Sequence, residues 1–305
     1  MSRTTPSRRF GPLCQLCVPA LLVVILLGFL PAAYGQVGMG TGQVSSGPVG
    51  PAPYQPAAQQ PRPAIQQTHA AAPNEHPLVP AIRWAHEGRE NLEKIQDYSA
   101  TVVKRERIGD KLSDFEYLFV KIRKEPFSVY IYFLGPAPVK GREVIYVKGH
   151  NDGKMWAHST GLQEKLLGTL SLLPTGPVAM YNQRYPLTQI GLANLVDRLI
   201  EIGERDMKYG ECDVQFFQGA KINQRSATCI QVVHPVPRRN FLFHMARIFV
   251  DDELNIPVRY EAHSWPEKPG GAPVLLEEYT YLDVKLNNGF TDADFDIRNP
   301  DYKFR

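Results

Sequence analysis

The sequence FEYLFVKIRKEPFSVYIYF, residues 115–133, decides the fold, because its apolar residues alternate between two faces in two short runs. Alternation with a period of two, in β-branched and aromatic residues, predicts two strands that meet at Lys124-Glu125-Pro126. An ordinary surface sheet alternates apolar with polar residues. Here both faces are apolar, so we expect both to be covered by other parts of the chain.

The first 35 residues have the pattern of a secretory signal peptide. Three arginines precede an apolar run that ends at Leu30, and Ala33-Tyr34-Gly35 supplies the small residues that a signal peptidase reads. We predict residues 1–35 as a signal peptide and an exported protein of the periplasm or cell envelope. The alternative is an uncleaved membrane anchor with the domain outside the cytoplasm, since the weaker run from Leu13 extends the apolar length to about twenty residues.

Residues 36–74 consist mainly of Gly, Pro, Gln, Ala and Ser, with almost no charge. Such a segment cannot bury enough apolar surface to offset the entropy of ordering it. We predict a disordered linker over residues 36–74, followed by one domain over residues 75–305.

The charge balance excludes a general affinity for nucleic acids. Three of the 34 basic residues and none of the 31 acidic ones precede Gln36, so the remaining chain carries 31 of each. A neutral chain without a basic stripe has no electrostatic footprint for nucleic acid.

Two amphipathic helices are predicted among many strands. The first runs from Leu78 to Gln96, and the second from Thr188, as its N-cap, to Ile202, with Gly203 closing it. About ten strands occupy the rest of the domain, and the parallel βαβ alternation is absent. The fold class is therefore mainly β (α+β), a strongly curved antiparallel half-barrel with helices packed in its concave face.

The sequence contains no recognisable catalytic, metal-binding or phosphate-binding motif. No two of its eight histidines stand four residues apart with an acid between them, and the acidic stretch 251–255 lacks the spacing of a calcium loop. Nucleophile elbows and phosphate-binding loops are also missing. We expect no catalytic residue, no metal and no cofactor. A hydrolase with Ser, His and Asp drawn from distant strands is the least supported alternative.

Two cysteines, Cys212 and Cys229, follow the predicted signal peptide. An even count in an exported protein favours a disulfide, which we predict between them. A tight turn at Ala220-Lys221 would put the two directly opposite, whereas a turn at 223–225 would offset them by several residues.

The leucine-rich stretch 162–173 has no strong helix or strand former and contains Gly168. It reads either as a buried connector or as a mobile flap over an apolar cavity.

The C-terminal third resembles a known family. Residues 248–260 and 279–295 resemble the hairpin and closing strand of the periplasmic lipoprotein-carrier (LolA/LolB-like) superfamily, and the order of a leading helix, several strands and an inserted helix is similar. Residues 179–193 and 299–304 resemble more closely an uncharacterised exported bacterial family, domain of unknown function 1571. The resemblance covers about residues 75–304 and implies an unclosed barrel whose concave face holds helices and accepts acyl chains.

The resemblance implies a non-catalytic envelope protein that binds a lipid or a lipidated partner in an apolar cavity, close to a membrane. The alternative is an envelope scaffold with a filled core and no ligand. The oligomeric state is left open. The residues we predict to line the cavity are Phe119, Ile131, Phe133, Leu166, Leu170, Leu192, Leu195 and Leu199.

Overall fold

The computed structural model describes residues 71–161 and 167–304. The predicted signal peptide, residues 1–35, and most of the predicted linker, residues 36–74, lie outside these ranges. The described chain contains two α-helices, α1 (Val79–Glu93) and α2 (Leu192–Asp206). Its strands are β1 (Asp97–Ile108), β2 (Lys111–Leu112), β3 (Glu116–Arg123), β4 (Ser128–Gly135), β5 (Glu143–Val147), β6 (Met155–His158), β7 (Thr169–Leu172), β8 (Asp213–Ile222), β9 (Arg225–Val233), β10 (Met245–Asp251), β11 (Pro257–Ser264) and β12 (Val274–Leu286).

The strands form one antiparallel sheet in the order β7-β6-β5-β4-β3-β1-β12-β11-β10-β9-β8, with β2 paired to β1. Within the described residues β7 and β8 remain its two edges, so the sheet is open and not closed into a barrel. The predicted fold class, a curved antiparallel half-barrel with two helices, is confirmed. The hairpin around residues 251–255 is also confirmed, because β10 pairs with β11.

The two apolar faces of β3 and β4 are buried by different parts of the chain. On the inner, concave face, Val120 lies opposite Ile131, and both belong to a core cluster that includes Leu192 of α2. On the outer face, Phe119 lies opposite Tyr132, and both pack against a second cluster that contains Phe295. The stretch 115–133 is therefore the middle of a three-layer arrangement.

The outer cover is the C-terminal tail, residues 290–304. Phe295 and Phe304 are buried against Tyr130 and Ile145, and the ring of Tyr302 stacks on that of Tyr130 at 4.1 Å. The tail is also held by charge, since Lys121 Nζ donates to Asp294 Oδ1 at 2.8 Å. The tail thus covers the outward-facing aromatic residues of β3 and β4 and shields them from water.

Helix α2 begins later than predicted, because a distant side chain caps it. Thr188 lies in a short 3₁₀ turn, and the N-cap position is Gly191, with φ of 115°. The Tyr98 hydroxyl of β1 accepts a hydrogen bond from the Leu192 amide at 2.9 Å. A Cβ at residue 191 would lie 3.2 Å from that hydroxyl. The start of α2 is therefore set by tertiary contact with β1.

Helix α2 also continues through Gly203, which was predicted to end it. A Cβ at Gly203 would lie 3.1 Å from Ile82 Cγ1 of α1. The glycine allows α1 and α2 to approach closely, and Arg89 Nε joins them further along by donating to Asp197 Oδ1 at 2.6 Å. The prediction was wrong because a glycine can serve helix packing as well as helix termination.

Part of the leucine-rich stretch forms a strand that the sequence did not predict. Residues 169–172 are β7, the edge strand that pairs Leu172 with Met155 and Leu170 with Ala157. Residues 162–166 lie outside the described ranges. The neighbouring strand supplies the order that local propensity does not.

Candidate cavity between the helices and the sheet

An apolar cavity of about 90 Å³ lies between the two helices and strands β9, β10 and β11. The surface of the cavity is almost entirely apolar, although Trp84, Asn255 and Asp206 among its lining residues carry polar side-chain atoms. The lining residues are Leu78, Ala81, Ile82, Trp84, Ala85, Gly88, Val196, Leu199, Ile202, Gly203, Asp206, Ile230, Val232, Phe243, Ala246, Ile248, Val250, Asn255 and Pro257.

Small residues create this space. On α1, Ala81, Ala85 and Gly88 follow one another at spacings of four and three, so they lie on one helix face. The opposite wall includes Ala246 of β10. Sequence reasoning missed these positions, although the recurrence of small residues on a core-facing stripe is the signal that could have found them.

Of the seven predicted residues that the structure describes, Leu199 alone is in the lining. Leu195 packs against the same apolar cluster without reaching the cavity. Leu192, Ile131 and Phe133 belong to the neighbouring core cluster beneath β3 and β4.

The remaining predicted residues lie elsewhere. Phe119 packs in the outer cluster beneath the C-terminal tail, so its assignment to the concave face was wrong. The reason is the alternation itself, since Phe119 and Val120 point to opposite faces and Val120 points inwards. Leu170 is on the edge strand β7, and Leu166 lies outside the described residues.

One lining residue of the cavity, Asp206, is a buried acid that lies beside a buried histidine, His234. Asp206, the last residue of α2, lines the cavity, and its side chain is only 1% exposed. Its Oδ1 accepts two hydrogen bonds from Arg205, from Nε at 3.0 Å and from Nη2 at 2.9 Å. Its Oδ2 lies 3.5 Å from Nε2 of His234.

His234 contacts two aromatic residues of the segment before β10. Its ring stacks on Phe241 at 3.9 Å, and its Nδ1 lies 3.3 Å from the carbonyl oxygen of Phe243. Burial lowers the pKa of His234, although the Asp206 carboxylate opposes that shift. The imidazole is therefore neutral at pH 7.

The concave face also carries a charged end, formed by Glu106, Arg184, Tyr185, Glu277 and Tyr279. Glu106 and Glu277 are register partners on β1 and β12, and both are buried. Arg184 joins them, with its amide donating to Glu106 Oε2 at 3.0 Å and its Nε to Glu277 Oε2 at 2.7 Å. The tyrosine hydroxyls complete the set, Tyr279 donating to Glu106 Oε1 at 2.7 Å and Tyr185 to Glu277 Oε1 at 3.1 Å.

This charged end anchors the segment before α2 to the sheet. Burial raises the pKa of Glu277, while Arg184 and Tyr185 oppose the rise. Burial and the nearby Glu277 carboxylate raise the pKa of Tyr185 to about 12. Each carboxylate oxygen of Glu106 and Glu277 already accepts a hydrogen bond from within the protein. Such satisfied carboxylates are suited to holding a loop in place.

The predicted disulfide between Cys212 and Cys229 does not form. The hairpin turns at Asn223-Gln224, so that Ile222 pairs with Arg225, and Cys229 lies opposite Phe217. Cys212 precedes Asp213, whose partner is Val233. The two cysteines are therefore several residues out of register, and strand residues advance by about 3.3 Å each.

Among residues 71–161 and 167–304, no group of three or more His, Cys, Asp or Glu side chains could hold a metal ion. No helix in the same ranges combines the length and the apolar character needed to cross a membrane.

Solved structures similar to the chain include three from bacteria. The lipoprotein LppX of Mycobacterium tuberculosis is 13% identical, with a TM-score of 0.39, over 70% of this chain and 98% of that chain. A LolA superfamily protein of Nitrosomonas europaea is 13% identical, with a TM-score of 0.32, over 70% and 97%. The MucA/MucB complex of Pseudomonas aeruginosa is 15% identical, with a TM-score of 0.36, over 71% of this chain and 60% of that chain.

A comparison with curated protein sequences found no match. The sequence profile described as "Protein of unknown function (DUF1571)" matches residues 95–304, which is more than half of the chain. The match includes both segments, 179–193 and 299–304, on which the sequence resemblance to that family rests. The chain belongs to the DUF1571 family.

Proposed function

We propose that this protein is a non-catalytic cell-envelope protein that binds the apolar chain of a lipid or of a lipidated partner between α1, α2 and strands β9–β11. The observation that carries the proposal is the cavity of about 90 Å³ and its apolar lining. Protein interiors are packed nearly as densely as organic crystals, and voids larger than a water molecule are few. An apolar void of this kind stays dry and accepts apolar guests.

The volume of the cavity limits the size of the ligand that can enter without movement of the helices. An engineered cavity of about 150 Å³ admits benzene, and pockets for whole ligands begin at roughly 300 Å³. The cavity therefore receives the tip of a chain, and a longer chain requires α1 and α2 to move away from the sheet. Half-buried lining residues, among them Ile82, Trp84, Leu199 and Ile248, place the cavity near the surface, where such a movement meets least resistance.

The location in the envelope is supported by the sequence pattern of residues 1–35, which is that of an export signal. N-terminal sequencing of the protein from its host tests this part. A chain that begins at Gln36 supports export with cleavage, and an intact N-terminus supports the membrane-anchored alternative.

Binding is tested with an apolar dye, N-phenyl-1-naphthylamine, whose fluorescence rises in a dry environment. We expect the wild type to bind the dye and Ala246→Leu to lose binding, because the larger side chain fills the cavity. The matched control is Ala220→Leu, which adds the same atoms at a half-buried position that packs against the other core cluster. We expect that variant to bind as the wild type does.

The scaffold remains the second candidate, because the core cluster beneath β1, β3 and β4 fills its part of the concave face. A scaffold predicts no dye uptake by the wild type and no lipid retained in native mass spectrometry of the protein purified from the envelope. That pair of results would replace the binding function by the scaffold.

A further inference from the structure

We propose that three loops at one end of the sheet form a docking surface for a lipid membrane with anionic headgroups. The loops are residues 207–212, 234–244 and 265–273, and together they are called the rim patch. This inference goes beyond the proposed function, because contact with a membrane does not require a ligand in the cavity.

The topology of the sheet brings the three loops together. At this end of the sheet, one row of paired residues crosses β8, β9, β10 and β11, namely Asp213, Val233, Met245 and His263. Each loop of the rim patch begins or ends beside this row. The loops are therefore neighbours in space, although they are far apart in the sequence.

Side-chain contacts join the loops to one another. The ring of Tyr209 meets that of Phe241 edge-on at 5.7 Å. Arg238 donates two hydrogen bonds to Glu211, from Nε at 2.8 Å and from Nη2 at 2.7 Å. The indole nitrogen of Trp265 donates to the first carbonyl oxygen of the loop 234–244 at 3.1 Å. The three loops thus form one connected surface.

The rim patch exposes large apolar side chains. Three of the eight such side chains in the described part of the chain lie in it, and they are Tyr209, Val236 and Leu242, with 42%, 47% and 49% exposure. Phe241 and Phe243, on either side of Leu242, are buried. Single exposed apolar residues are ordinary on a protein surface, but a group of them on adjacent loops marks an interaction site.

The charge of the rim patch indicates the kind of partner. Its loops carry four basic and two acidic residues, and one basic residue, Arg238, pairs with one of the acids. The other three, Lys208, Arg239 and Lys268, are exposed and outnumber the remaining acid. Basic residues are attracted to anionic headgroups, and tyrosine is favoured at the interface between a membrane and water.

The position of the rim patch also suits a membrane. Phe243, within the patch, and Asp206, directly before it, are lining residues of the cavity. An apolar chain that leaves a bilayer at the patch therefore arrives beside the cavity. A fluid bilayer accepts apolar side chains that protrude from separate loops, whereas a protein partner needs a matching pocket for each of them.

The test is flotation of the protein isolated from its host with vesicles of phosphatidylcholine, either alone or with one third phosphatidylglycerol. We expect binding to the anionic vesicles, and Leu242→Ser should weaken it roughly tenfold, because an apolar side chain no longer enters the bilayer. The matched control is Leu173→Ser, which changes a leucine that is 55% exposed directly after β7, at the opposite end of the sheet. We expect this control to bind as the wild type does.

A second pair of variants tests the role of charge. Arg239→Gln should weaken binding to the anionic vesicles about fivefold, the effect of one basic residue near an anionic surface, and leave binding to phosphatidylcholine unchanged. Its control is Lys148→Gln, an exposed lysine directly after β5 at the opposite end of the sheet. We expect the control to bind both kinds of vesicle as the wild type does.

A position-specific measurement serves a chain that keeps residues 1–35 and binds vesicles through them. Leu242→Trp should add fluorescence that brominated acyl chains quench, and Leu173→Trp should not. The wild type supplies the background of the native tryptophans.

For a chain without residues 1–35, equal vesicle binding by the two serine variants overturns the proposal. For a chain that keeps them, equal quenching at the two positions does so. Dimerisation that Leu242→Ser abolishes, without vesicle binding by the wild type, would instead assign the rim patch to a protein partner. Dye uptake does not depend on the patch, so its absence in the wild type removes the proposed function and leaves the membrane contact to be decided by the vesicles.

Discussion

The two halves of the concave face are built from similar apolar residues but are filled to different extents. Beneath β1, β3 and β4 the core closes around Leu192, which is 0% exposed. Beneath β9–β11 the same helix, two turns later, presents Leu199 to a cavity of about 90 Å³. We refer to these regions as the filled half and the hollow half.

The difference teaches that side-chain size, and not hydrophobicity, separates a core from a binding site. The hollow half is as apolar as the filled half, but its walls carry Ala81, Ala85, Gly88 and Ala246. These small residues are buried, but their side chains do not fill the space between the helices and the sheet. The free energy cost of a void to the folded protein grows with its volume. Binding of an apolar group that fills the void is therefore favoured.

The largest expected effect compares two leucines of α2. Leu192→Ala should lower the free energy of unfolding by about 2–5 kcal/mol, because it opens a cavity in the filled half. Leu199→Ala should cost only about 1 kcal/mol, since Leu199 is half-buried and already borders empty space. Urea unfolding followed by circular dichroism measures both.

The dependence of the unfolding free energy on urea serves as the control for this pair, and its slope should be the same in both variants. A cost above about 2 kcal/mol for Leu199→Ala would mean that the hollow half is packed as tightly as the filled half, and would remove the contrast.

A smaller effect is expected from enlarging one alanine in each half. Ala227 is on β9 but packs in the same core cluster as Leu192, which belongs to the filled half, and Ala246 lines the hollow half; both are core-facing and at most 1% exposed. Ala227→Leu should cost about 1–3 kcal/mol through overpacking. Ala246→Leu should leave stability within about 1 kcal/mol of the wild type or raise it, because the new atoms enter the cavity.

Melting temperatures of the two variants measure this difference. Equal destabilisation by the two alanine substitutions would show that the space beside Ala246 cannot accept a larger side chain. The cavity would then be unable to accept a chain tip either.

Much of the fold could be predicted because it follows from local patterns. The alternation in residues 115–133 predicts two strands with two buried faces, and the structure covers one with helix α2 and the other with the tail. The amphipathic stripes of α1 and α2 predict helices on a sheet. Patterns of this kind depend only on the period of the backbone.

The candidate site could not be predicted because it depends on where the elements meet. Alternation shows that Phe119 and Val120 point to opposite faces, but only the position of α2 shows which face is concave. The sequence alone predicts that Gly203 ends the helix, and only the structure shows that Ile82 of α1 packs against it. The pair Asp206 and His234 joins residues 28 positions apart in the sequence through the packing of α2 on the sheet.

The smallest expected effect concerns buried titratable groups at opposite ends of α2. Burial lowers the pKa of His234, beside the C-terminal end of the helix, and raises that of Glu277, which contacts the segment before it. The stability linked to His234 is present above its ordinary pKa of 6.5 and is lost as the pH falls through its folded pKa. The stability linked to Glu277 is present below pH 4.5 and is lost as the pH rises through its folded pKa.

Two neutral variants separate these contributions. The unfolding free energy of His234→Asn, relative to the wild type, should rise as the pH falls below 6.5, because the variant has no imidazole to protonate on unfolding. That of Glu277→Gln, relative to the wild type, should rise as the pH increases above 4.5, because the variant has no buried carboxylate to ionise. Each slope is at most about 1.4 kcal/mol per pH unit, the value for one proton.

The measurement is a series of urea unfolding curves between pH 4 and pH 8 for the wild type and both variants. Only the slope against pH is used, so the constant cost of losing the stacking of His234 on Phe241, or the pairing of Glu277 with Arg184, does not enter. Opposite slopes support a buried, neutral imidazole beside the C-terminal end of α2 and a buried carboxylate in the charged end. Flat curves for both variants would show that water reaches both groups, because a group whose pKa is the same in the folded and the unfolded protein adds no slope.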